Sequence, residues 1–326
     1  MQSEYMYKSN LGKYIKIFID NKLYTGHPYS TSRRILQKFD NMIFHEFPNA
    51  SGLTKDICDR WISHCKELHP NTLLRRITPI RQLGKYLSGI GVPSYIIPGN
   101  IPKKAVKYEA HIFTEQELTA FFKSVDACPK SPFSPARHYV IPVIFRLIFC
   151  CGMRQSEARK LLCEDVDLSQ GQIKIRESKG WKARLVYVSD DMLKLLNDYD
   201  KCVSRLIPNR TVFFPNQNDV VYSPSTIDVW FHEFWDTLPE AKLCTGNRPR
   251  VHDFRHSYCV YRLNKWVREG ANLNGLYPYM SEFLGHCKFA DTDYYISLVP
   301  SFYSEIHRRM ASVNDDILPE VINDDN

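Results

Sequence analysis

Six polar side chains spread over the C-terminal two thirds of the chain can together break a phosphodiester without a metal: Arg154, Lys179, His252, Arg255, His286 and Tyr295. Tyr295 is a phenolic nucleophile, each guanidinium can grip phosphate oxygens through its planar fork, and Lys179, His252 and His286 can move or share protons. Each position also has a plainer reading. Arg154 follows Gly152 and opens a predicted helix, where backbone N–H groups and the helix dipole favour an anion, and Glu157 one turn on could hold its guanidinium. An Arg paired with an i+3 Glu is equally an ordinary feature of a helix surface. Lys179 sits at the tip of a predicted hairpin, where most lysines are merely solvated, and Lys182 shares the turn. His252 and Arg255 fall three residues apart on one helical face and can serve the same group. His252 and His256 have the i, i+4 spacing of a zinc helix, but Asp253 stands where that motif has Glu and Arg255 would crowd a dication, so no metal is expected. Tyr295 is one of 19 tyrosines, adjoins Tyr294, and acts only if nearby cations lower the cost of a phenolate.

The elements that must position these residues are mostly helices. Tyr14, Ile17 and Phe18 give one helix over roughly residues 11–22. A second follows the Ser30, Thr31 and Ser32 capping cluster, and a third follows the Thr54 cap with Ile57, Trp61 and Ile62 on one side. Leu74, Ile77, Ile80, Leu83 and Leu87 mark a fourth, which begins after Pro70 and Asn71 and ends at Gly89 and Gly91. Its other face carries Arg75, Arg76, Arg81 and Lys85, a basic side suited to phosphates. Pro93, Pro98, Gly99 and Pro102 break helix formation, so residues 93–111 read as a linker whose Lys103, Lys104 and Lys107 would suit a strap on a polyanion. Thr114 with Glu117 reads as a capped helix start, and the apolar run from Tyr139 to Cys151 as a buried helix. Residues 172–176 and 184–188 alternate as a strand pair around a turn at 177–182. Helices dominate from there to about Met310.

At 326 residues and 44% hydrophobic content the chain can build two cores. No apolar run is long enough to span a membrane and the first residues lack the order of a signal peptide, so a cytoplasmic protein is expected. The 10 cysteines are dispersed apart from Cys150 and Cys151 and form no CxxC pair, the usage of a reducing compartment rather than of a disulfide scaffold. The net charge of +7 is unevenly placed: residues 1–110 carry 17 Lys and Arg against 8 Asp and Glu, a net +9, and the remaining 26 against 28 give −2. A basic N-terminal part points to a polyanionic partner.

The runs CGMRQSEARKL at 151–161, CEDVDL at 163–168, ESKGWKARLVYV at 177–188, VHDFRHSY at 251–258 and FLGHCKFADTDYYI at 283–296 together resemble the tyrosine recombinases, or phage-type integrases, in order and in the nine-residue step from His286 to Tyr295. The stretch from Arg255 to Leu284 is longer than that pattern, which puts the approach to His286 in question. The resemblance implies a mainly α fold with a small antiparallel β-hairpin or sheet, arranged as a two-domain DNA clamp. Residues 1–92 would form a helical core-binding domain, 93–111 the linker, 112–310 the catalytic domain and 311–326 an acidic tail exchanged between protomers or disordered. In this reading Ile317, Leu318, Val321 and Ile322 are the tail's docking residues.

The same resemblance implies that Tyr295 attacks the scissile phosphate to give a 3′-phosphotyrosyl link, with no metal and no cofactor. Arg154, Arg255 and His286 would hold the phosphate, Lys179 would protonate the leaving 5′-oxygen, though Lys182 could reach the same phosphate, and His252 would take the tyrosine proton, with Glu157 in support. Duplex DNA is the expected partner, bound by a homotetramer on two sites and by a monomer or weak dimer when free, with accessory DNA-bending proteins and nucleoid association on DNA. Integration, excision, transposition and resolution remain open, as do a type IB topoisomerase-like relaxing enzyme and a DNA-binding protein that does not cut.

Overall fold

The computed structural model describes residues 6–26, 29–102, 108–176, 183–244 and 246–285 together with Tyr295. The chain divides into two compact units, Met1–Tyr108 and Glu109–Asn326. Lys103, Lys104, Lys107, Lys179, Lys182, His286, Cys287, Tyr294 and the tail from 311 lie outside the described residues.

In the first unit, α1 (Gly12–Tyr24), α2 (Ser30–Glu46), α3 (Lys55–Ser63) and α4 (Pro70–Gly89) pack around Ile15, Phe39, Trp61, Ile80 and Leu83. Thr54 caps α3 as its sequence suggests, accepting from Ile57 N at 3.3 Å. The Ser30, Thr31 and Ser32 cluster does not cap α2: all three lie inside its first turn, and the cap position is Tyr29 with φ of 34° and no capping bond from its side chain. Burial of apolar faces therefore sets where α2 starts more than local capping does. Asp40, fully buried, accepts from Lys8 N at 2.6 Å and from Ser9 Oγ at 2.5 Å, which ties the chain start to α2.

The proline-rich stretch after α4 is docked rather than loose. Leu53 N donates to Pro93 O at 3.0 Å and Tyr95 N to Leu53 O at 2.6 Å. Gly84 makes the approach possible, since a Cβ there would stand 2.9 Å from Tyr95 O. Arg81, expected to face phosphates, instead turns its guanidinium to the carbonyls of Ile97, Pro98 and Ile101 at 2.7–2.8 Å. A segment without regular structure leaves carbonyls that need donors, and a five-donor fork supplies them. Arg75 and Lys85 stay exposed, and half-buried Arg76 donates to Cys65 Sγ at 3.7 Å.

The second unit is built on the apolar helix α6 (Arg137–Cys150), which packs against α5 (Glu115–Asp126), α8 (Asp190–Leu206), α11 (Val251–Arg268) and the short α7 (Gln155–Arg159). α9 (Pro224–Trp235) closes an aromatic core of Phe113, Phe121, Phe145, Phe231 and Phe254, and α10 (Pro239–Leu243) and α12 (Leu273–Leu284) complete the helices among the described residues. Thr114 and Glu117 form the expected capping box of α5. The expected strand pair is present as β2 (Gln172–Ile175) and β3 (Arg184–Tyr187), antiparallel with Ile173 opposite Val186. A two-residue strand β1 (Val166–Asp167), too short to show alternation, pairs with β2 on the other side. The fold is thus mainly α with a small antiparallel sheet.

Candidate active site

Gly152 makes the first turn of the site. It ends α6 with φ of +57°, and a Cβ would stand 2.5 Å from the Tyr258 ring, so both conformation and space require glycine. The chain then enters α7 with Arg154 at the cap position. Glu157 folds back to accept from Arg154 N at 2.9 Å and from Arg154 Nη1 at 2.8 Å.

Glu157 also receives a second arginine from across the fold. On β3 the inward positions are 184 and 186, so Arg184 points under the sheet beside Val186 and is buried. Its two Nη atoms lie 3.0 and 2.8 Å from the Glu157 oxygens. Burial opposes ionisation of Glu157, but the hydrogen bonds and charge of Arg184, with the bonds from Arg154, outweigh it and hold the carboxyl at about 2. One carboxylate therefore orients two guanidiniums.

The end of α12 collects the rest. Gly285 adopts the left-handed conformation that terminates the helix, and its last carbonyls turn to the arginines: Phe283 O accepts from Arg184 at 2.7 Å, Leu284 O from Arg255 at 2.6 Å and Gly285 O from Arg154 at 3.0 Å. A helix C-terminus carries unsatisfied carbonyls and partial negative charge, which is why three cations gather there. Arg255 on α11 reaches back to Gly152 O at 2.8 Å and is almost wholly buried.

Tyr295 lies against α11, buried, in one apolar cluster with Cys259 and Leu284. Burial raises its phenol above the usual range and the adjoining Cys259 adds to the rise, while the charge and hydrogen bond of Arg255 act the other way. Its ring packs on His256 at 5.4 Å, and the His256 ring meets His252 edge-on at 4.8 Å. His252 is exposed as a residue, yet the protein atoms around its imidazole, and then Arg255, Arg250 and Arg154, push it down to about 4. His256 is pushed down to about 3 by burial, then by His252, Arg250 and Arg255. Both imidazoles are neutral at neutral pH, so neither adds charge to a cluster already rich in cations.

Of the residues expected from sequence, the structure brings Arg154, Glu157, His252, Arg255 and Tyr295 into one electrostatic neighbourhood. Lys179 and His286 lie outside the described residues. Sequence reasoning missed Arg184, although its place in an alternating strand put it on the same face as Val186. It also weighed His256 only as a metal ligand. Among the described residues no group of three His, Cys, Asp or Glu side chains could hold a metal ion.

Residues 112–300 match the phage integrase family. The chain belongs to this family, that of the tyrosine recombinases, and is a tyrosine-type site-specific recombinase. Among its relatives, a Sinorhizobium fredii protein named as integrase/recombinase y4rE is 25% identical over 291 residues, covering 88% of this chain and 91% of that one. The tyrosine recombinase XerD of Vibrio cholerae is 22% identical over 261 residues, covering 76% of each. In fold the chain is similar to the Tn1549 transposon integrase solved with transposon right-end DNA, with a TM-score of 0.64 at 11% identity over 92% of this chain and 99% of that one.

Proposed function

We propose that this recombinase cuts and rejoins duplex DNA with Tyr295 as nucleophile. Its phenolic oxygen displaces the 5′-oxygen from the scissile phosphate to give a 3′-phosphotyrosyl link, and a 5′-hydroxyl from another strand later reverses the step. The observation that carries this reading is the meeting of Tyr295 with Arg255, inside a cluster where Arg154 and Arg184 share a single carboxylate, Glu157, and Arg255 is held by the carbonyls of Gly152 and Leu284. Guanidiniums already oriented by Glu157 and by carbonyls stabilise the charge of a pentacoordinate phosphate without reorganising during the reaction.

Arg154 and Arg255 are assigned to the nonbridging oxygens, and His286 to a hydrogen bond with the same phosphate. Lys179 is assigned to protonate the leaving 5′-oxygen, with Lys182 as the alternative. His252, held neutral above about pH 4, has a lone pair available to take the tyrosine proton. The buried Tyr295 phenol stays protonated at rest, so attack awaits a bound phosphate and a proton acceptor. This scheme requires no cofactor.

For the DNA, Arg75, Arg76 and Lys85, with Lys103, Lys104 and Lys107, supply phosphate contacts, and Arg81 supports them from behind through its carbonyl contacts. A free monomer or weak dimer assembles on two sites as a homotetramer, with accessory DNA-bending proteins where the sites demand them and the tail from 311 exchanged between protomers. The working place is the cytoplasm, on the nucleoid when DNA is bound. No helix among the described residues is long and apolar enough to cross a membrane.

The test is a nicked suicide substrate incubated without magnesium. A covalent protein–DNA adduct should form, and Tyr295→Phe should abolish it while DNA binding survives. An adduct that persists in Tyr295→Phe and vanishes in Tyr294→Phe transfers the role to Tyr294. Tight binding with no adduct in the unaltered chain leaves a DNA-binding protein that does not cut.

A further inference from the structure

The second unit holds another nucleophile with a proton acceptor, apart from the residues assigned to DNA cleavage. His111 Nε2 lies 3.1 Å from each oxygen of the Glu117 carboxylate. The neutral tautomer with its hydrogen on Nε2 donates to this carboxylate and leaves Nδ1 with its lone pair. Nδ1 faces Cys244 Sγ at 3.7 Å, and in that tautomer the thiol is the donor. The imidazole is held on every side that bears on this geometry. Phe113 and Trp235 meet it edge-on at 4.8 and 5.9 Å, and Glu117 is itself fixed by Thr114, whose N donates to it at 2.7 Å.

We infer that Cys244 is a modification site, a thiol that is oxidised by peroxide with His111 as its proton acceptor and Glu117 as the group that orients His111. A carboxylate, an imidazole and a nucleophile in this sequence share the logic of catalytic triads, in which the acid selects the tautomer and the imidazole takes the proton as the nucleophile attacks. As Sγ attacks one oxygen of hydrogen peroxide, the S–H proton passes to Nδ1 and the O–O bond breaks. The departing hydroxide takes that proton from His111 and leaves as water. An S–O bond has formed, the sulfur is oxidised to sulfenic acid, and the peroxide is reduced.

Access separates Cys244 from most other thiols of the chain. Cys58, Cys65, Cys128, Cys151 and Cys259 are buried, whereas Cys244 is only partly so. Cys150 is exposed and Cys163 partly so, but the protein atoms around each sulfur push both thiols up, away from the reactive thiolate. Cys244 also stands shortly before α11, the helix that carries His252 and Arg255. Asn247 in the same connection donates to Glu109 O at 3.5 Å.

Sulfenic-acid trapping with a dimedone reagent under limiting hydrogen peroxide, read peptide by peptide by mass spectrometry on the full chain, tests the inference without reference to DNA cleavage. Cys244 should be trapped first, on the order of tenfold faster than the partly exposed Cys202, and His111→Gln should slow it by about 10²-fold, the usual worth of a positioned base. Trapping of Cys244 no faster than Cys202 in the unaltered chain overturns the inference, whatever the variants do. So does an unchanged Cys244 rate in a folded His111→Gln protein. Either result leaves the role of Tyr295 untouched, since adduct formation on the suicide substrate is a separate measurement.

Discussion

Both units use arginine to gather carbonyl oxygens from an irregular stretch of chain, and they differ in what else the guanidinium meets. In the first unit Arg81 holds Ile97, Pro98 and Ile101 from a half-exposed position on α4 with no carboxylate among its bonds. In the second, Arg154, Arg184 and Arg255 hold the end of α12 while two of them share Glu157, and the Arg184–Glu157 pair is buried. The first arrangement staples a segment to a helix. The second concentrates three positive charges around one negative charge in a place that water barely reaches, which leaves a surplus for an anion. Buried charges hold each other to a narrow geometry, so this region should be rigid in function and brittle to substitution. The basic exposed face of α4 should be additive and forgiving.

The largest effect that would sharpen this contrast is on folding. Glu157→Ala leaves Arg184 buried without its carboxylate and should cost about 3–5 kcal/mol in urea unfolding of the second unit, against roughly 1–2 kcal/mol for Arg81→Ala in the first. Equal losses would erase the distinction. Next in size is the chemistry. Arg255→Lys keeps the charge but loses the fork that spans Gly152 O and Leu284 O, so adduct formation should slow by roughly 10²–10³-fold, with DNA affinity changed only a few fold. A loss of binding in proportion would make Arg255 an ordinary phosphate contact.

Acid should separate the units as well. His252 and His256 are depressed from 6.5 to about 4 and about 3, so the unfolded chain takes up protons first as pH falls. Their contribution to stability is whole above about pH 6.5 and is lost progressively between there and the folded values. Thermal unfolding of the second unit should therefore weaken over that window, and His256→Asn should flatten the slope. A slope unchanged in that variant would show that His256 titrates normally. The smallest effects belong to the exposed basic face of α4. Arg75→Ala and Lys85→Ala should each shift stability by no more than about 0.5 kcal/mol, and each should lower the salt dependence of DNA binding by about one phosphate contact. A large stability loss from either would mean that the face is structural.

Much of the second unit could be read directly. Thr114 and Glu117 make a capping box from four consecutive positions, and α6 is apolar enough to be buried in almost any context. Arg154 and Glu157 are one turn apart, so their contact needed only a helix. Other features escaped for definite reasons. The start of α2 is set by packing rather than by its serines, β1 is too short for periodicity, and Arg81 looked solvated because nothing local shows that residues 97–101 return to it. Arg184 and His256 were visible as residues, but their partners, Glu157 and Tyr295, are 27 and 39 positions away.

By itself the sequence determined the helices, the division of charge between the two parts of the chain and the residue types available for phosphate chemistry, because propensity, capping and periodicity act over a few residues. Only the tertiary structure decided that Glu157 serves two arginines, that the carbonyl end of α12 draws in three guanidiniums, and that Glu117 and Cys244 meet the two ring nitrogens of His111. Those arrangements depend on distances between remote segments and on the exclusion of water. Both are properties of the packed chain rather than of any stretch of it.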